Sequence, residues 1–240
     1  MDYDLIVIGG GAAGLTATRA AVKLGARVLL VEKRALGGDC LFTGCVPSKT
    51  LIRTAQVAHE QRTAERFGLP ASPPAIDGKQ VMARVRAAIA RIAEHDSPAR
   101  FEKLGAEVRI GAPAFVSRDA LELDGKRLSA RGFLIATGAR AAPPPIDGLA
   151  EAAPLTNETI FSLDALPASL AVIGGGPIGL ELGQAMQRLG VRVTIVEAAD
   201  RVLPGEDEEA SAELRARLEA EGVTIHTAAK IVRARVEGGR

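Results

Sequence analysis

Apolar positions come in two rhythms along this chain. Residues 5–8 (LIVI) are an unbroken aliphatic run. Three glycines follow, then a stretch in which apolar residues return every three or four positions, and a second aliphatic run at 28–31 (VLLV) that stops at Glu32. A short continuous run predicts a strand buried on both faces, and the three-to-four spacing predicts a helix between the two strands. The same sentence is written again: LIVIGGGAAGLTATRAAVKLGARVLLVE at 5–32 is matched by LAVIGGGPIGLELGQAMQRLGVRVTIVE at 170–197. Gly9 and Gly174, Gly14 and Gly179, and Glu32 and Glu197 all stand 165 residues apart. The expected fold class is therefore α/β, with two Rossmann-like βαβ units, each opening a domain.

Each copy carries G-x-G-x-x-G between its first strand and its helix. Gly9 and Gly174 allow the tight turn, Gly11 and Gly176 let backbone approach a pyrophosphate, and Gly14 and Gly179 let helix and strand pack closely. The helix N-terminus then offers unpaired N–H groups to phosphate, with Ala13 and Ile178 in the first turn. Glu32, followed by Lys33, and Glu197 are placed to accept hydrogen bonds from ribose hydroxyls. A glutamate there repels a 2′-phosphate, so the second unit is expected to take NAD rather than NADP, although Arg201 nearby could soften that preference. One such motif is a weak signal, whereas two with strands, helix and terminal acid predict two bound dinucleotides.

Elsewhere the pattern is less regular. Residues 49–106 read as long helices interrupted by a Pro-rich loop, LPASPPAIDG. Residues 107–136 read as a small antiparallel insertion, with turns at Asp119 and Asp124-Gly125, before the returning strand FLIAT. Domains are expected at 1–149 and 150–240, the second with a helix at 206–221 and strands near 223–226 and 230–236. The 240 residues carry a formal net charge of +1, which gives no electrostatic reason to expect nucleic acid or an anionic membrane. No run approaches the ~20 apolar residues that span a bilayer, and the N-terminus lacks a signal-peptide pattern, so the expected compartment is the cytoplasm. His59, His95 and His226 are scattered, and no metal site is expected.

The only cysteines, Cys40 and Cys45, lie in GGDCLFTGCVPSKT at 37–50. Five residues of regular helix rise about 7.5 Å, farther than a disulfide spans, so any bridge needs the backbone to break, and Gly44 permits it. Pro47 suits the first turn of a following helix, which puts Cys45 at a helix N-terminus where the dipole and Lys49 favour a thiolate.

This stretch resembles the redox motif of the class I pyridine nucleotide-disulfide oxidoreductases, which include dihydrolipoamide dehydrogenase, glutathione reductase and mercuric reductase. The pattern GGxCxxxGCxPxK is matched by Gly37, Gly38, Cys40, Gly44, Cys45, Pro47 and Lys49. LIATGAR at 134–140 is similar to the strand that closes the first FAD-binding segment. Ser48 and Lys49 favour the lipoamide and mercuric branch. The resemblance implies FAD on the first unit, NADH on the second, and electrons passing from NADH through FAD to a Cys40–Cys45 disulfide and on to a small disulfide or metal-ion substrate. It implies that Cys40 attacks substrate, that Cys45 is the thiolate beside the flavin, and that Lys49 lies near the flavin and pairs with Glu181. Gly38, Asp39, Thr137 and Gly138 are implied to border the cofactor. Asp39 departs from the family, which usually has threonine there, and a carboxylate beside a pyrophosphate is unfavourable unless it points away or meets a cation.

The resemblance also implies a homodimer, with a dimerisation domain that supplies an acid-base histidine and glutamate. No His-Pro-x-x-x-x-Glu occurs in these 240 residues. The chain is expected to be a fragment with little turnover by itself, an expectation that intact mass against the full reading frame checks. Two other functions fit the same residues: a flavin NADH oxidase or diaphorase acting on quinones, and a non-catalytic dinucleotide-binding module with a redox-sensing thiol clasp.

Overall fold

The computed structural model describes residues 1–237. The chain packs as two units, residues 1–47 with 87–140 and residues 48–86 with 141–240. Residues 238–240 lie outside the described part.

The first unit is built on β1 (Tyr3–Ile8), β2 (Val28–Glu32), β3 (Glu107–Ile110), β4 (Ala114–Ser117), β5 (Ala120–Leu123) and β6 (Lys126–Ile135), in the order β3-β2-β1-β6-β5-β4. Parallel pairing sets Ile6 opposite Leu29 and Phe133, and Ile8 opposite Val31 and Ile135. Both faces of the parallel sheet are covered, which explains the continuous apolar runs. Ile6, Ile8, Leu29 and Val31 pack with Leu121, Leu123, Leu128 and Ala130. On the other face Val7, Val28 and Leu30 pack with Leu15 of α1 (Ala12–Lys23), Leu36 and Phe101.

β6 changes partners halfway. Its first residues pair antiparallel with β5, and from Ala130 onward it pairs parallel with β1. The expected antiparallel insertion is thus β4-β5-β6, with Asp124 and Gly125 both in the left-handed region (φ 52° and 72°), as a two-residue hairpin turn requires. α2 (Gly38–Phe42) follows β2, α3 (Cys45–Arg62) leaves this unit, and α4 (Gly78–Ala93) returns to it before α5 (Pro98–Leu104).

The second unit repeats the βαβ design. β7 (Ser169–Ile173), β8 (Arg192–Val196) and β9 (Thr224–His226) form a parallel sheet in that order. α6 (Pro177–Arg188) has the length of α1, and its Leu180, Leu182, Ala185 and Met186 are buried. α7 (Glu208–Ala220) starts at Asp207, whose side chain accepts the Glu209 N–H. The long helical segments also pack here: the Arg86 guanidinium donates to the Leu163 carbonyl, and Arg62 donates to the Arg188 carbonyl.

One expected element is absent. Residues 230–236 form no strand; Arg233 makes a single parallel bridge with Asp147, and Ala234 N–H donates to Asp147 O at 2.8 Å. On the N-terminal side of that bridge, the three prolines at 143–145 lack N–H groups and cannot donate to a ladder. Among the described residues no helix is long and apolar enough to cross a membrane.

A half-buried cluster ties α3, α6 and the end of α7. Arg188 donates twice to the Glu221 carboxylate, at 2.6 Å each, and Gln184 adds a third bond at 2.9 Å. Burial works against the charged Glu221, yet the Arg188 hydrogen bonds and charge outweigh it and hold the carboxyl below its ordinary value. His59 faces the same group, and burial followed by the Arg188 charge holds its imidazole below its ordinary value.

Two predictions follow from the packing. A Cβ at Gly14 would collide with the Gly9 carbonyl and press on Val7, so Gly14→Ala is expected to cost about 1–3 kcal/mol, read from the denaturant midpoint. Glu221→Gln leaves the Arg188 charge half-buried and is expected to cost about 3 kcal/mol at neutral pH. Because the folded carboxyl titrates below the unfolded one, that stabilisation is complete above the ordinary carboxylate range and lost as pH falls through the lower folded value. The gap between wild type and Glu221→Gln should therefore close in acid; a gap that stays constant from neutral to acid pH would refute the assignment.

Candidate functional site

The first glycine loop is shaped by its own backbone and by one carboxylate. Gly9 N–H donates to the Val31 carbonyl at 2.8 Å, tying the loop to β2, and Gly37 N–H donates to Gly10 O at 2.7 Å, bringing the start of α2 onto it. Glu32 Oε2 accepts the Gly10 N–H at 2.7 Å while Oε1 accepts the Arg34 N–H at 2.9 Å. Glu32 therefore holds the loop, a role that sequence reasoning missed when it aimed this residue only at ribose.

The second loop repeats these bonds. Gly174 N–H donates to Val196 O at 2.9 Å, and Leu203 N–H takes the place of Gly37 by donating to Gly175 O at 2.9 Å. Glu197 Oε2 accepts the Gly175 N–H at 2.6 Å, and Oε1 accepts the Ala199 N–H at 2.7 Å. Gly10 and Gly175, the middle residues of the two GGG triplets, are thus part of each site. Their repetition in both copies was the signal that could have found them.

Both loops have the cradle that a dinucleotide needs. Gly11 and Gly176 precede α1 and α6 in extended conformation, with no side-chain cap on either helix. Ala13 and Ile178 are exposed in the first turns, and Gly179 comes so close to Gly174 O that a Cβ there would lie 2.6 Å from it. Gly11 faces Gly38, where a Cβ would fall 2.6 Å from the Gly11 Cα, so only glycine lets α2 close on the first loop. A Cβ on Gly9 would collide with the Ala136 carbonyl, which brings Thr137 and Gly138, both exposed, to the other side of that loop. These features fit a pyrophosphate laid across bare backbone. Lys33 is exposed just past β2.

The thiols stand where the helix breaks. α2 ends at Phe42 and α3 begins at Cys45, with Thr43 and Gly44 between them. A Cβ on Gly44 would sit 2.9 Å from Asp39 O, so the bend is tight. Cys40 and Cys45 stand as thiols and are joined by a hydrogen bond. That bond first, then burial, then the electrostatic effect of Cys45, hold the Cys40 thiol above its ordinary value. Cys40 therefore keeps its proton to higher pH than an isolated cysteine. Asp39, exposed beside it, accepts a long 3.5 Å bond from the Thr43 hydroxyl on Oδ1. Its Oδ2 is 3.7 Å from where a Cβ on Gly138 would lie.

Within the second unit, one turn along α3 from Cys45, Lys49 Nζ meets Glu181 Oε2 of α6 at 2.6 Å. The two residues are 132 apart in sequence and both are substantially exposed. Arg201 is occupied by its own loop: it donates to Pro204 O at 3.1 Å and lies 3.4 Å from Glu208 and 3.8 Å from Asp200. Among the described residues, no group of three or more His, Cys, Asp or Glu side chains is arranged to hold a metal.

Known proteins resemble this chain over nearly its whole length. Mercuric reductase from Bacillus cereus is 34% identical over 237 residues, which is 99% of this chain and 38% of that protein. Dihydrolipoyl dehydrogenase from Thermus scotoductus is 37% identical over 239 residues, 96% of this chain and 50% of that protein. The HOCl-induced flavoprotein disulfide reductase RclA from Escherichia coli superposes with a TM-score of 0.81 at 28% identity, covering 96% of this chain and 50% of that one. The chain thus spans half or less of the length of these relatives. The family model for pyridine nucleotide-disulphide oxidoreductases matches residues 3–240, and the chain belongs to that family of flavoprotein disulfide reductases.

Proposed function

We propose that this chain is the dinucleotide-binding and redox-disulfide part of an FAD- and NADH-dependent reductase of a small disulfide or Hg(II), of the lipoamide dehydrogenase or mercuric reductase type. The observation that carries the proposal is the hydrogen-bonded pair Cys40 and Cys45 on the helix break that follows the first glycine loop. The FAD-binding segment is 1–149 and the nicotinamide-binding segment 150–240, each opening on a glycine loop clamped by its own glutamate. FAD, when bound, supplies two-electron transfer between the nicotinamide and the disulfide. The residues assigned to line its site are Gly9, Gly11, Ala13, Gly14, Glu32, Lys33, Gly38, Asp39, Lys49, Thr137 and Gly138. Those assigned to NADH are Gly174, Gly176, Ile178, Gly179 and Glu197. The working form is a homodimer of a longer protein.

The chemistry of the thiols balances. The Cys40 thiolate attacks one sulfur of the substrate disulfide, forming a mixed disulfide and releasing the first product thiol. Cys45 then attacks the Cys40 sulfur, the second product thiol leaves, and the protein is left with the Cys40–Cys45 disulfide. The substrate has gained two electrons and two protons, and NADH is the reductant that restores the pair. The hydrogen bond between the two sulfurs is what makes the second attack local. It also keeps the first attacker protonated, so a base is needed to release it. For Hg(II), the same two soft thiolates are the ligands. The Lys49–Glu181 pair keeps the ammonium positioned at the start of α3.

NADH is favoured over NADPH because Glu197 places a carboxylate at the end of β8, while Arg201 is already engaged by Pro204, Glu208 and Asp200. A 2′-phosphate would meet the anion without gaining the cation.

Three measurements test this reading. Anaerobic NADH titration of the FAD-reconstituted chain should produce long-wavelength absorbance beyond the flavin peaks, and Cys45→Ser should abolish it; flavin that bleaches without the band in wild type would move the protein to the diaphorase class. NADPH should bind at least about tenfold more weakly than NADH, by quenching of nicotinamide fluorescence, and Glu197→Gln should narrow the ratio. Equal affinities in wild type would overturn the coenzyme assignment. Finally, Cys45→Ala removes the bond that holds the Cys40 proton, so alkylation of Cys40 by iodoacetamide should begin at lower pH than in wild type, as followed by mass spectrometry from neutral to alkaline pH.

A further inference from the structure

We infer that Asp39 loosens this protein's hold on its flavin, by charge repulsion at the diphosphate. The inference rests on the assignment of FAD to the first glycine loop. Three facts about the first unit carry it. The backbone of Gly38 closes against Gly11, so the residue after Gly38 stands at the wall of the phosphate cradle. The Asp39 carboxylate is exposed and directed between that wall and the 136–138 segment, with Oδ2 at 3.7 Å from the Cβ position of Gly138. The segment it faces is the one whose Ala136 carbonyl packs on Gly9, the other side of the same loop.

Among the described residues, the Asp39 carboxylate also lacks a charged partner. Glu32, the other acid at this loop, has each oxygen bound by a backbone amide at 2.7 and 2.9 Å. Asp39 has only the neutral Thr43 hydroxyl at 3.5 Å, and among the described residues no Lys or Arg forms an ion pair with it. Its charge is therefore not cancelled locally, and the nearest large anion to enter the cradle is the cofactor's diphosphate. Like charges repel, and for an exposed carboxylate salt reduces the repulsion.

The experiment is the FAD dissociation constant of the 240-residue chain, from flavin fluorescence at low and high ionic strength, for wild type, Asp39→Asn and Asp39→Ser. Both variants should bind FAD about tenfold more tightly at low salt, equivalent to ~1.4 kcal/mol, and the difference should shrink as salt rises. NADH affinity should not move. Equal or weaker FAD binding by both variants overturns the inference while leaving the flavin assignment intact. So does a salt-independent gain, which would signal altered packing, or a wild-type affinity restored by Mg²⁺ alone, which would make the carboxylate a cation ligand. No FAD binding by any of the three overturns the flavin assignment and the inference with it.

Discussion

A carboxylate on a backbone amide holds both halves of this protein in working order. Glu32 on Gly10 and Glu197 on Gly175 are short, charge-assisted bonds from the end of one strand to the loop after its neighbour. They satisfy the middle amide of each glycine triplet. The rest of the loop is left to face outward at the helix N-terminus, where anions are stabilised. The same carboxylates accept a second amide two residues on, at Arg34 and Ala199, so the turn leaving each strand is fixed by the same atoms. What comes next differs: one turn leads into the thiol-bearing helix, the other into the loop that occupies Arg201.

The contrast between buried and exposed charge separates framework from chemistry. Arg188 and Glu221 are 18% and 15% exposed and share two short bonds, an arrangement in which removing either partner strands the other. Lys49 and Glu181 are 61% and 47% exposed, and such a pair contributes little to stability. Its worth lies in orientation: Glu181 holds the Lys49 ammonium at the start of α3.

Much of this was legible in the sequence, for reasons that differ by element. The two βαβ units were readable because strand, turn and helix each depend on local pattern, and α1 and α6 fall at the same offset as the glycines. The hairpin at Asp124-Gly125 was readable because its turn takes left-handed backbone, and the helix break at Gly44 because a glycine there leaves room for the close approach to Asp39 O. The strand expected at 230–236 was misread because β-branched alternation cannot report whether a neighbouring strand can donate; the prolines at 143–145 cannot. The packing of 48–86 with the second unit was not readable either, since an amphipathic helix shows that it has a buried face and not which sheet will cover it. The loop-holding role of the two glutamates was hidden because an acid at that position has an obvious ligand, and the backbone amide claims it as well.

The shared strand β6 has a consequence for how the first unit comes together. Its pairing with β5 joins residues a few positions apart across a two-residue turn, whereas its pairing with β1 joins residues 127 apart, as the Asp2–Ser129 bonds do. Local contacts close early and distant ones late, because the loop entropy must be met first. The hairpin at 120–130 therefore forms a template whose register is fixed before the N-terminal strand arrives. A single-residue slip at its turn would turn Leu128 and Ala130 away from the core and present β1 with the wrong face. The strand that carries the first glycine loop is aligned by a small hairpin elsewhere in the sheet.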